Sequence, residues 1–315
     1  MEITHIETCA VRIPLKAERR MISALGRHEV SDFVLVRLGT DAGIEGAGEA
    51  TVTPRWSGET AVGAQHMIEH VLAPAVVGCD PADVAAIDAR MDAVCAHNWF
   101  AKAAIEMACW DAQGKAAGKP VYELLGGAVR PLTFRCRFSM GAYDVERATT
   151  VAAERVAAGF TTIKVKVGGA LEDDLRRVRA VRRAIGDDVQ LMIDANCGWD
   201  AETAIRAARE LESERICLFE QPTPDGDFAS MAQVRRETDV EILADDICFD
   251  RADAAELIRG ACCDAISVYP GKNGGIRKAA AIVALAASHG VPCSIGSNLE
   301  WDVATAAMGH LIVAT

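Results

Sequence analysis

Three short apolar runs each end in an acidic residue: VQLMID at residues 189–194, ICLFE at residues 216–220 and VEILAD at residues 240–245. The acids Asp194, Glu220 and Asp245 therefore stand 26 and 25 positions apart. A short apolar run followed by a helical pattern is typical of a buried parallel strand with its crossover helix, and about 25 residues make one such unit. Three consecutive strands would bring their terminal carboxylates to one rim of a β/α barrel, where such barrels do their chemistry.

The three carboxylates on this predicted rim need a cation, because like charges in a dry site repel each other and lack water to solvate them. Carboxylate oxygens in this number are the hard ligands that suit Mg²⁺, with Mn²⁺ as the alternative. The spacing thus makes Asp194, Glu220 and Asp245 candidate metal ligands.

The composition limits the class of protein. The chain of 315 residues is long enough for one large α/β domain and a smaller one, and its hydrophobic content of 50% is ample for a core. Its net charge is −12, from 33 basic and 45 acidic residues, which makes nucleic acid and anionic membranes poor partners.

The cysteines and the start of the chain indicate a compartment. None of the 11 cysteines forms a C-x-x-C pair, and most lie inside apolar runs, as reduced and packed thiols do. The opening residues MEITHI lack the basic and apolar segments of a secretory leader. No apolar stretch approaches the roughly 18 residues of a membrane span. We therefore expect a cytoplasmic protein.

The rhythm of the sequence changes near residue 131. Residues 1–130 begin with alternating strand patterns and continue with helical patterns, which is typical of an α+β domain. Residues 131–315 alternate strand and helix. Seven strands are expected there, ending near Ser139, Lys166, Asp194, Glu220, Ala244, Val268 and Ile295. Seven strands do not close an eight-stranded barrel, so we expect the native polypeptide to continue with a last strand.

Two lysines share the end of the second predicted barrel strand, in the segment TTIKVKVG at residues 161–168. Because Lys164 and Lys166 are two residues apart on a strand, their amines lie on the same face, about 6.6 Å apart along it. A second ammonium group beside a lysine favours the neutral, basic form of that lysine. The pair is therefore a candidate general base, against the alternative of two solvated barrel lysines.

Together these motifs resemble those of the enolase superfamily, in its mandelate racemase and muconate lactonizing enzyme branch. The matching stretches are KVK at residues 164–166, DAN at 194–196, FEQP at 219–222, LADD at 243–246 and KNGG at 272–275. A further stretch, AKAAIEMACWD at 101–111 continuing to LLGG at 124–127, is similar to that branch's signature between capping domain and barrel. The similarity runs essentially from end to end.

The resemblance implies both a fold and a chemistry. The fold is an α+β capping domain over a modified (β/α) TIM-type barrel, here residues 1–130 and 131–315, with Mg²⁺ held by the three acids. In this branch a lysine of the second strand removes the proton α to a substrate carboxylate, giving a metal-stabilised enediolate. Lys166 takes the role of base, Lys164 is expected to bind the carboxylate, and Asn196 to contact the substrate or the metal ligands. The implied partner is a small-molecule carboxylate, and the implied assembly is a homo-oligomer, a dimer or an octamer.

One position departs from the pattern of the branch. Its cycloisomerases and two-base epimerases typically carry another lysine at the end of the sixth strand, where this sequence has Tyr269, and Lys272 follows three residues later. Tyr269 could act as a neutral acid or hydrogen-bond donor, since a phenol with an ordinary pKa of about 10 is a poor base. Lys272 could instead bend back into the site, because Pro270 and Gly271 permit an irregular turn.

The choice between these residues bears on the reaction, because racemisation needs a base on each face of the carbanion. We expect single-base chemistry first, in a cycloisomerase like the muconate lactonizing enzymes or in an acid dehydratase. The alternative is a racemase or epimerase of amino-acid or hydroxy-acid derivatives that uses Lys166 and Lys272. A non-catalytic binding protein is the remote alternative, since it would not need the lysine pair.

Substrate contacts are expected from two loops of the capping domain, because specificity in this branch comes from loops that close over the barrel mouth. They map to residues 15–30 and 51–57, and among their cationic and aromatic residues we expect Arg20 and Trp56 to contact the substrate. Glu300 follows the seventh strand and could reach the rim, or it could be a charge at the N-terminus of the next helix.

Overall fold

The computed structural model describes residues 1–315. Twelve strands follow one another along the chain: β1 (Ile3–Pro14), β2 (Met21–Ser23), β3 (Gly26–His28), β4 (Val30–Thr40), β5 (Glu45–Val52), β6 (Phe138–Met140), β7 (Thr162–Lys166), β8 (Gln190–Asp194), β9 (Ile216–Glu220), β10 (Ile242–Ala244), β11 (Ala265–Val268) and β12 (Cys293–Ile295). Thirteen α-helices accompany them: α1 (Pro54–Ser57), α2 (Ala61–Met67), α3 (Ala73–Val76), α4 (Val84–Val94), α5 (Trp99–Ala117), α6 (Val121–Leu124), α7 (Val145–Ala157), α8 (Leu171–Ile185), α9 (Ala201–Glu210), α10 (Phe228–Glu237), α11 (Arg251–Arg259), α12 (Ile276–Ser288) and α13 (Asp302–Ala314). None of the helices is long and apolar enough to cross a membrane.

The N-terminal part of the chain is an antiparallel sheet with a long helix packed on it. The sheet has the order β1-β4-β5, with Val11 opposite Phe33 in the first pair of strands. Helix α5 packs against β5 along its length, and two glycines of that strand permit the close approach. A Cβ on Gly46 or Gly48 would lie only 1.9 or 1.7 Å from carbonyl oxygens of the helix. The predicted α+β arrangement is present.

The C-terminal part is one curled sheet of seven parallel strands, which lie side by side in chain order from β6 to β12. All seven predicted strands are present, and each ends at the predicted residue or one residue from it. The helices that alternate with the strands cover the outer face of the sheet. The predicted (β/α) architecture is confirmed, and the sheet is open between β12 and β6.

The alternation of residues along the strands explains which side chains enter the barrel. In β7, Ile163 and Val165 belong to the apolar core under the helices, whereas the two lysines between and after them point inward. In β8 and β9, Ile193 and Phe219 join the same core, so the acids that follow them also point inward. In each strand, the apolar residues that pack under the helices therefore fix the direction of the charged residues that point into the barrel.

One element of the fold is absent from the sequence predictions. Strands β2 and β3 form a small hairpin inside the expected loop at residues 15–30, with Met21 opposite His28. Each strand has three residues, which is too short for a periodic pattern to be recognised. Strand β3 begins directly after the turn at Gly26, whose φ of 112° is a conformation that favours glycine.

Candidate active site

A cavity of about 1310 Å³ opens at the carboxyl ends of the barrel strands and continues along the open side of the sheet between β12 and β6. The side chains with chemical or recognition potential that line it include Trp56, Arg137, Lys164, Lys166, Asn196, Glu220, Asp245, Asp246 and Tyr269. Most of them lie near the ends of strands β7 to β11. This is the rim at which the spacing of the acids predicts the site.

Strand register brings the acids together. Lys166 pairs with Asp194 across β7 and β8, and Asp194 pairs with Glu220 across β8 and β9. Glu220 also pairs with Leu243 of β10, so Asp245, two residues further on, points to the same face. The three acidic residues are 0%, 2% and 7% exposed, so their carboxylates are almost completely removed from water.

Lys164 pairs with two of these carboxylates. Its Nζ donates hydrogen bonds to Asp194 Oδ2 at 2.9 Å and to Glu220 Oε1 at 2.5 Å. Burial by itself would lower the pKa of Lys164, but the charges of Asp194 and Glu220 outweigh burial and raise that pKa. Lys164 is therefore a fixed ammonium group inside the site.

Lys166 reaches further towards the cavity. Its Nζ lies 2.5 Å from Asp194 Oδ2 and 2.6 Å from Asn196 Oδ1. Asn196 is itself held in place, because its backbone N–H donates to Asp194 Oδ1 at 2.9 Å in a left-handed conformation with φ of 43°. These contacts orient the Lys166 amine at the end of its strand.

The three acids differ in their tendency to ionise. Burial opposes the ionisation of Asp194, but Lys164 and Lys166 hold its pKa well below the usual range. Burial and the charge of Asp194 raise the pKa of Glu220 to about 7. Burial also acts against Asp245, whose pKa is nevertheless lowered by the charge of Lys272.

The donor set fits a divalent cation. Glu220, the middle acid of the row, has a buried Oε2 without any hydrogen-bond partner, and the guanidinium of Arg137 is 3.8 Å away from it. A buried and unpaired carboxylate oxygen is costly unless a ligand binds it. In this structure no three His, Cys, Asp or Glu side chains lie close enough together to hold a metal ion. The ammonium groups of Lys164 and Lys272 form hydrogen bonds with the three acids instead. The hard oxygens of the three acids are nonetheless the ligands that suit Mg²⁺.

Lys272 is a buried partner of Asp245. Its Nζ donates to Asp245 Oδ1 at 2.9 Å, and to the backbone oxygens of Asp245 and Ser267 at 2.8 Å each. These three acceptors use all three hydrogens of an ammonium group. The side chain is 0% exposed and does not line the cavity. The turn after β11 therefore directs Lys272 to Asp245 and away from the place of a second base.

Tyr269 lines the cavity beneath an aromatic residue of the N-terminal part. Trp56 of α1 stacks on the Tyr269 ring, with ring centroids 5.7 Å apart. Burial, with the charges of Asp245 and Asp246, raises the pKa of Tyr269 far above its ordinary value. Tyr269 is thus a neutral phenol, which can donate a hydrogen bond and is a poor base.

Two family models match the sequence. Residues 5–126 match the mandelate racemase / muconate lactonizing enzyme N-terminal domain, and residues 147–315 match the enolase C-terminal domain-like model. The chain belongs to the mandelate racemase and muconate lactonizing enzyme family. The membership inferred from the sequence motifs is thereby confirmed.

Members of this family that are similar to the chain differ in reaction. The structure of the dipeptide epimerase of Enterococcus faecalis V583, complexed with Mg and the dipeptide L-Leu-L-Tyr, has 33% identity and a TM-score of 0.94, with coverage of 100% of this chain and 88% of the other. The N-succinyl Arg/Lys racemase of Bacillus cereus ATCC 14579 has 30% identity and a TM-score of 0.97, with coverage of 100% and 85%. The cis-3-hydroxy-L-proline dehydratase of Roseibium aggregatum is 32% identical, again with coverage of 100% and 85%. The chain is accordingly an enzyme, an isomerase or a lyase of this family.

Two of the predicted substrate contacts do not line the cavity. Arg20 precedes the β2–β3 hairpin, which carries the following residues to the cavity and leaves the Arg20 guanidinium 3.6 Å from Glu29. Glu300 accepts hydrogen bonds from the Ser297 hydroxyl at 2.6 Å and the Asn298 N–H at 2.7 Å. Its side chain lines a neighbouring cavity of about 480 Å³ instead. The direction of each side chain depends on the path of its own loop, before β2 for Arg20 and after β12 for Glu300, and the sequence does not reveal either path.

Two other cavity residues were not among the predicted site residues. Arg137 precedes β6 and donates a hydrogen bond to Ser294 Oγ at 2.8 Å, across the open side of the sheet. Asp246 accepts a long hydrogen bond of 3.5 Å from Asn196 Nδ2, and burial with the charge of Asp245 raises its pKa to about 8. The place of Asp246 directly after a predicted metal ligand was the signal that could have identified it.

Proposed function

We propose that this enzyme removes the proton α to the carboxylate of a small-molecule substrate, with Lys166 as the base. The observation that carries the proposal is the position of Lys166 Nζ at the cavity end of β7, 2.6 Å from Asn196 Oδ1 and beside the row of three acids. The similarity to a dipeptide epimerase supports the proposal. An epimerase inverts a stereocentre, and inversion next to a carboxylate begins with loss of a proton.

The main chemical difficulty of this step is charge. A proton α to a carboxylate is weakly acidic, and its removal places a second negative charge on the carboxylate oxygens. Asp194, Glu220 and Asp245 would hold Mg²⁺, which when bound supplies positive charge to those oxygens. The ammonium group of Lys164 adds a fixed positive charge beside the acids.

Lys166 must be neutral when it accepts the proton and becomes an ammonium group when it has done so. Its two neighbours in the structure, Asp194 Oδ2 and Asn196 Oδ1, are hydrogen-bond acceptors that stabilise that ammonium. These two acceptors also fix the direction of the Lys166 amine before a substrate enters. Little reorganisation is therefore needed when the α-proton is transferred to it.

The fate of the deprotonated substrate depends on the residue that faces Lys166. Strand β11 stands four strands from β7 in the curled sheet, and Tyr269, which follows β11, lines the same cavity as Lys166; both observations support Tyr269 as the residue opposite Lys166. Tyr269 is a neutral phenol, and Lys272 is fully engaged with Asp245 and Ser267. We therefore propose single-base chemistry. In a dehydratase, the substrate deprotonated by Lys166 loses its β-substituent; in a cycloisomerase, a carboxylate oxygen of the substrate adds to a conjugated double bond and the ammonium form of Lys166 then protonates the enediolate. Tyr269 would then donate a hydrogen bond.

The second candidate is a racemase or an epimerase, and the relatives favour it. A dipeptide epimerase and an N-succinyl Arg/Lys racemase are among the similar structures, which supports this alternative better than the cycloisomerase or dehydratase expected first. The contacts of Lys272 do not support the pair of bases expected for it. In this candidate Tyr269 would donate the second proton, and its phenolate would be the base of the reverse reaction.

Proton exchange in D₂O tests the proposal and separates the two candidates. The enzyme with Mg²⁺ is incubated with dipeptides, N-succinyl amino acids, cyclic hydroxy-amino acids and muconate-type diacids, and the α-proton signal is followed by NMR. We expect the signal of at least one substrate to disappear, and Lys166→Met to abolish this effect. Lys102→Met, which replaces a buried lysine of α5 that contacts Asp92, controls for general damage to the fold.

The products identify the reaction. A substrate that has lost its β-substituent supports single-base elimination, whereas deuterium on a carbon of inverted configuration supports the epimerase. Exchange that persists in Lys166→Met would show that the base is assigned wrongly. Failure of every substrate in this panel to exchange, while the enzyme binds Mg²⁺, would contradict the proposed function.

We further propose that the capping domain spans residues 1–130 and the barrel residues 131–315, and that identical chains assemble in the cytoplasm as a dimer or an octamer. Two separate apolar cores support the division: one lies between the antiparallel sheet and α5, and the other between the parallel sheet and its helices. Light scattering coupled to size-exclusion chromatography measures the number of chains.

A further inference from the structure

Glu106, in the middle of α5, is a fully buried carboxylate that contacts the barrel. Its Oε2 accepts a hydrogen bond from the N–H of Ile276 at 2.8 Å, and its Oε1 accepts from the N–H of Arg277 at 2.8 Å and from Trp110 Nε1 at 2.7 Å. Ile276 and Arg277 are the first residues of α12, where the backbone N–H groups have no partner within the helix and need acceptors. A side chain of the N-terminal part thus caps a helix of the barrel.

The contact is close enough to restrict the residue that precedes α12. Gly275 has φ of 133°, and a Cβ on it would lie 2.6 Å from Glu106 Cδ and 2.9 Å from Glu106 Oε2. A side chain at this position would therefore push the carboxylate away from the helix N-terminus. Glycine allows the backbone before α12 to rest directly against Glu106.

The segment before α12, residues 269–275, forms a tightly bonded turn. The N–H of Gly275 donates to the Pro270 carbonyl at 2.8 Å, and the N–H of Asn273 donates to the Tyr269 carbonyl at 3.1 Å. The N–H of Tyr269 in turn donates to Asn273 Oδ1 at 2.9 Å. Because these bonds join its two ends, the position of the turn depends on the position of the first residues of α12.

The same turn supplies two residues to the site. Tyr269 at its start lines the cavity, and Lys272 in its middle binds both the side chain and the backbone of Asp245. We propose that Glu106 is a positioning residue for the active site, which holds the 269–275 turn from outside the barrel and so places Tyr269 in the cavity and Lys272 on Asp245. The inference rests on the proposed function only in treating Asp245 as a metal ligand.

The rival explanation is that Glu106 merely fastens the N-terminal part to the barrel. Glu49 of β5 is a matched control, because it is equally buried and accepts hydrogen bonds from the N–H of Trp301 at 2.7 Å and of Ala304 at 3.1 Å, at the start of α13. Glu49 makes no hydrogen bond to the 269–275 turn. Glu49→Gln therefore removes the same kind of interaction across the same interface and leaves that turn in place.

Hydrogen–deuterium exchange measured by mass spectrometry separates the two explanations. Wild type, Glu106→Gln and Glu49→Gln are compared for peptides that cover the 269–275 turn, and calorimetry gives their dissociation constants for Mg²⁺. We expect both variants to melt at lower temperature than wild type. Only Glu106→Gln should exchange faster in the turn, by about tenfold, and bind Mg²⁺ more weakly, by about fivefold, because Asp245 is then less well positioned.

Equal exchange in the turn for the two variants would overturn the inference. If wild type binds no Mg²⁺, the metal site of the proposed function fails, while exchange in the turn still decides the role of Glu106. Should Glu106→Gln fail to fold, Glu106→Asp, which keeps the carboxyl group and withdraws it by one methylene, is compared with Glu49→Asp in the same way.

Discussion

The indole ring of Trp56 lies nearly parallel to the phenol ring of Tyr269, with ring centroids 5.7 Å apart and an angle of 16° between the planes. Trp56 belongs to the N-terminal part and Tyr269 to the end of β11, so the stack joins the two parts of the molecule at the cavity. Phe100 and Phe249 pack around the indole at 5.7 and 5.6 Å. This aromatic wall keeps water from one side of the site. The lower dielectric constant there strengthens the charge interactions of the acids and lysines.

Replacement of Trp56 by alanine should damage substrate use. The variant leaves Tyr269 without its stacking partner and admits water to the cavity, so we expect kcat/KM to fall by about tenfold or more. Trp56→Phe keeps an aromatic ring in the wall and should retain most of the activity. Steady-state kinetics on the substrate found by proton exchange provides the measurement. An unchanged kcat/KM in Trp56→Ala would mean that the wall is dispensable.

Replacement of Lys272 by methionine should destabilise the enzyme strongly. The change leaves the buried carboxylate of Asp245 and two backbone oxygens without their shared donor, which costs about 3–5 kcal/mol of unfolding free energy. The control is Lys278→Met, because Lys278 lies close to Lys272 in the chain, in the first turn of α12, but forms a partly exposed pair with Asp92. Loss of such a pair costs about 1 kcal/mol or less. Urea unfolding of the two variants compares the costs, and similar values would remove the supporting role assigned to Lys272.

Removal of the Tyr269 hydroxyl should separate proton abstraction from product formation. In single-base chemistry Lys166 takes the proton without help from the phenol, so Tyr269→Phe should keep α-proton exchange. The phenol would assist the later step, and a lost general acid lowers turnover by about 10²–10⁴-fold. NMR in D₂O records both processes in one sample. If exchange in Tyr269→Phe falls as far as in Lys166→Met, the phenol takes part in the first step and the single-base assignment is wrong.

The barrel could be predicted in detail because its strands carry strong local signals. The residues directly before Asp194 (191–193) and Glu220 (216–219) are all apolar, so the strand end, the inward side and the candidate ligand are read from the same residues. The pairing of Lys166 with Asp194 then follows from the parallel arrangement of neighbouring strands. Such features depend on residues close in sequence, which is why they were accessible.

The remaining features of the site depend on contacts between distant segments. Trp56 meets Tyr269 from more than two hundred positions away, and nothing in either segment indicates the partner. The loop that was expected to bring Arg20 to the substrate folds into a hairpin and turns that residue outward. Lys272 could be placed near the sixth strand, but its direction is set by the buried acceptors that it meets. Tertiary contacts of this kind override local pattern.

The buried carboxylate of Glu106 should make the stability of the enzyme depend on pH. Burial raises the pKa of Glu106 from 4.5 to about 7, against the hydrogen bonds of the α12 N–H groups and with a further contribution from the charge of Asp88. Between these two values the folded protein holds a proton that the unfolded chain has released. The stability due to this proton is therefore complete below about pH 4.5 and is lost as the pH rises through 7, a change of about 3 kcal/mol.

Urea unfolding of wild type and Glu106→Gln across this pH range measures the effect. Because Glu106→Gln cannot titrate, the difference in unfolding free energy, wild type minus variant, should fall by about this amount between pH 4.5 and pH 8. A difference that stays constant with pH would show that Glu106 is ionised throughout.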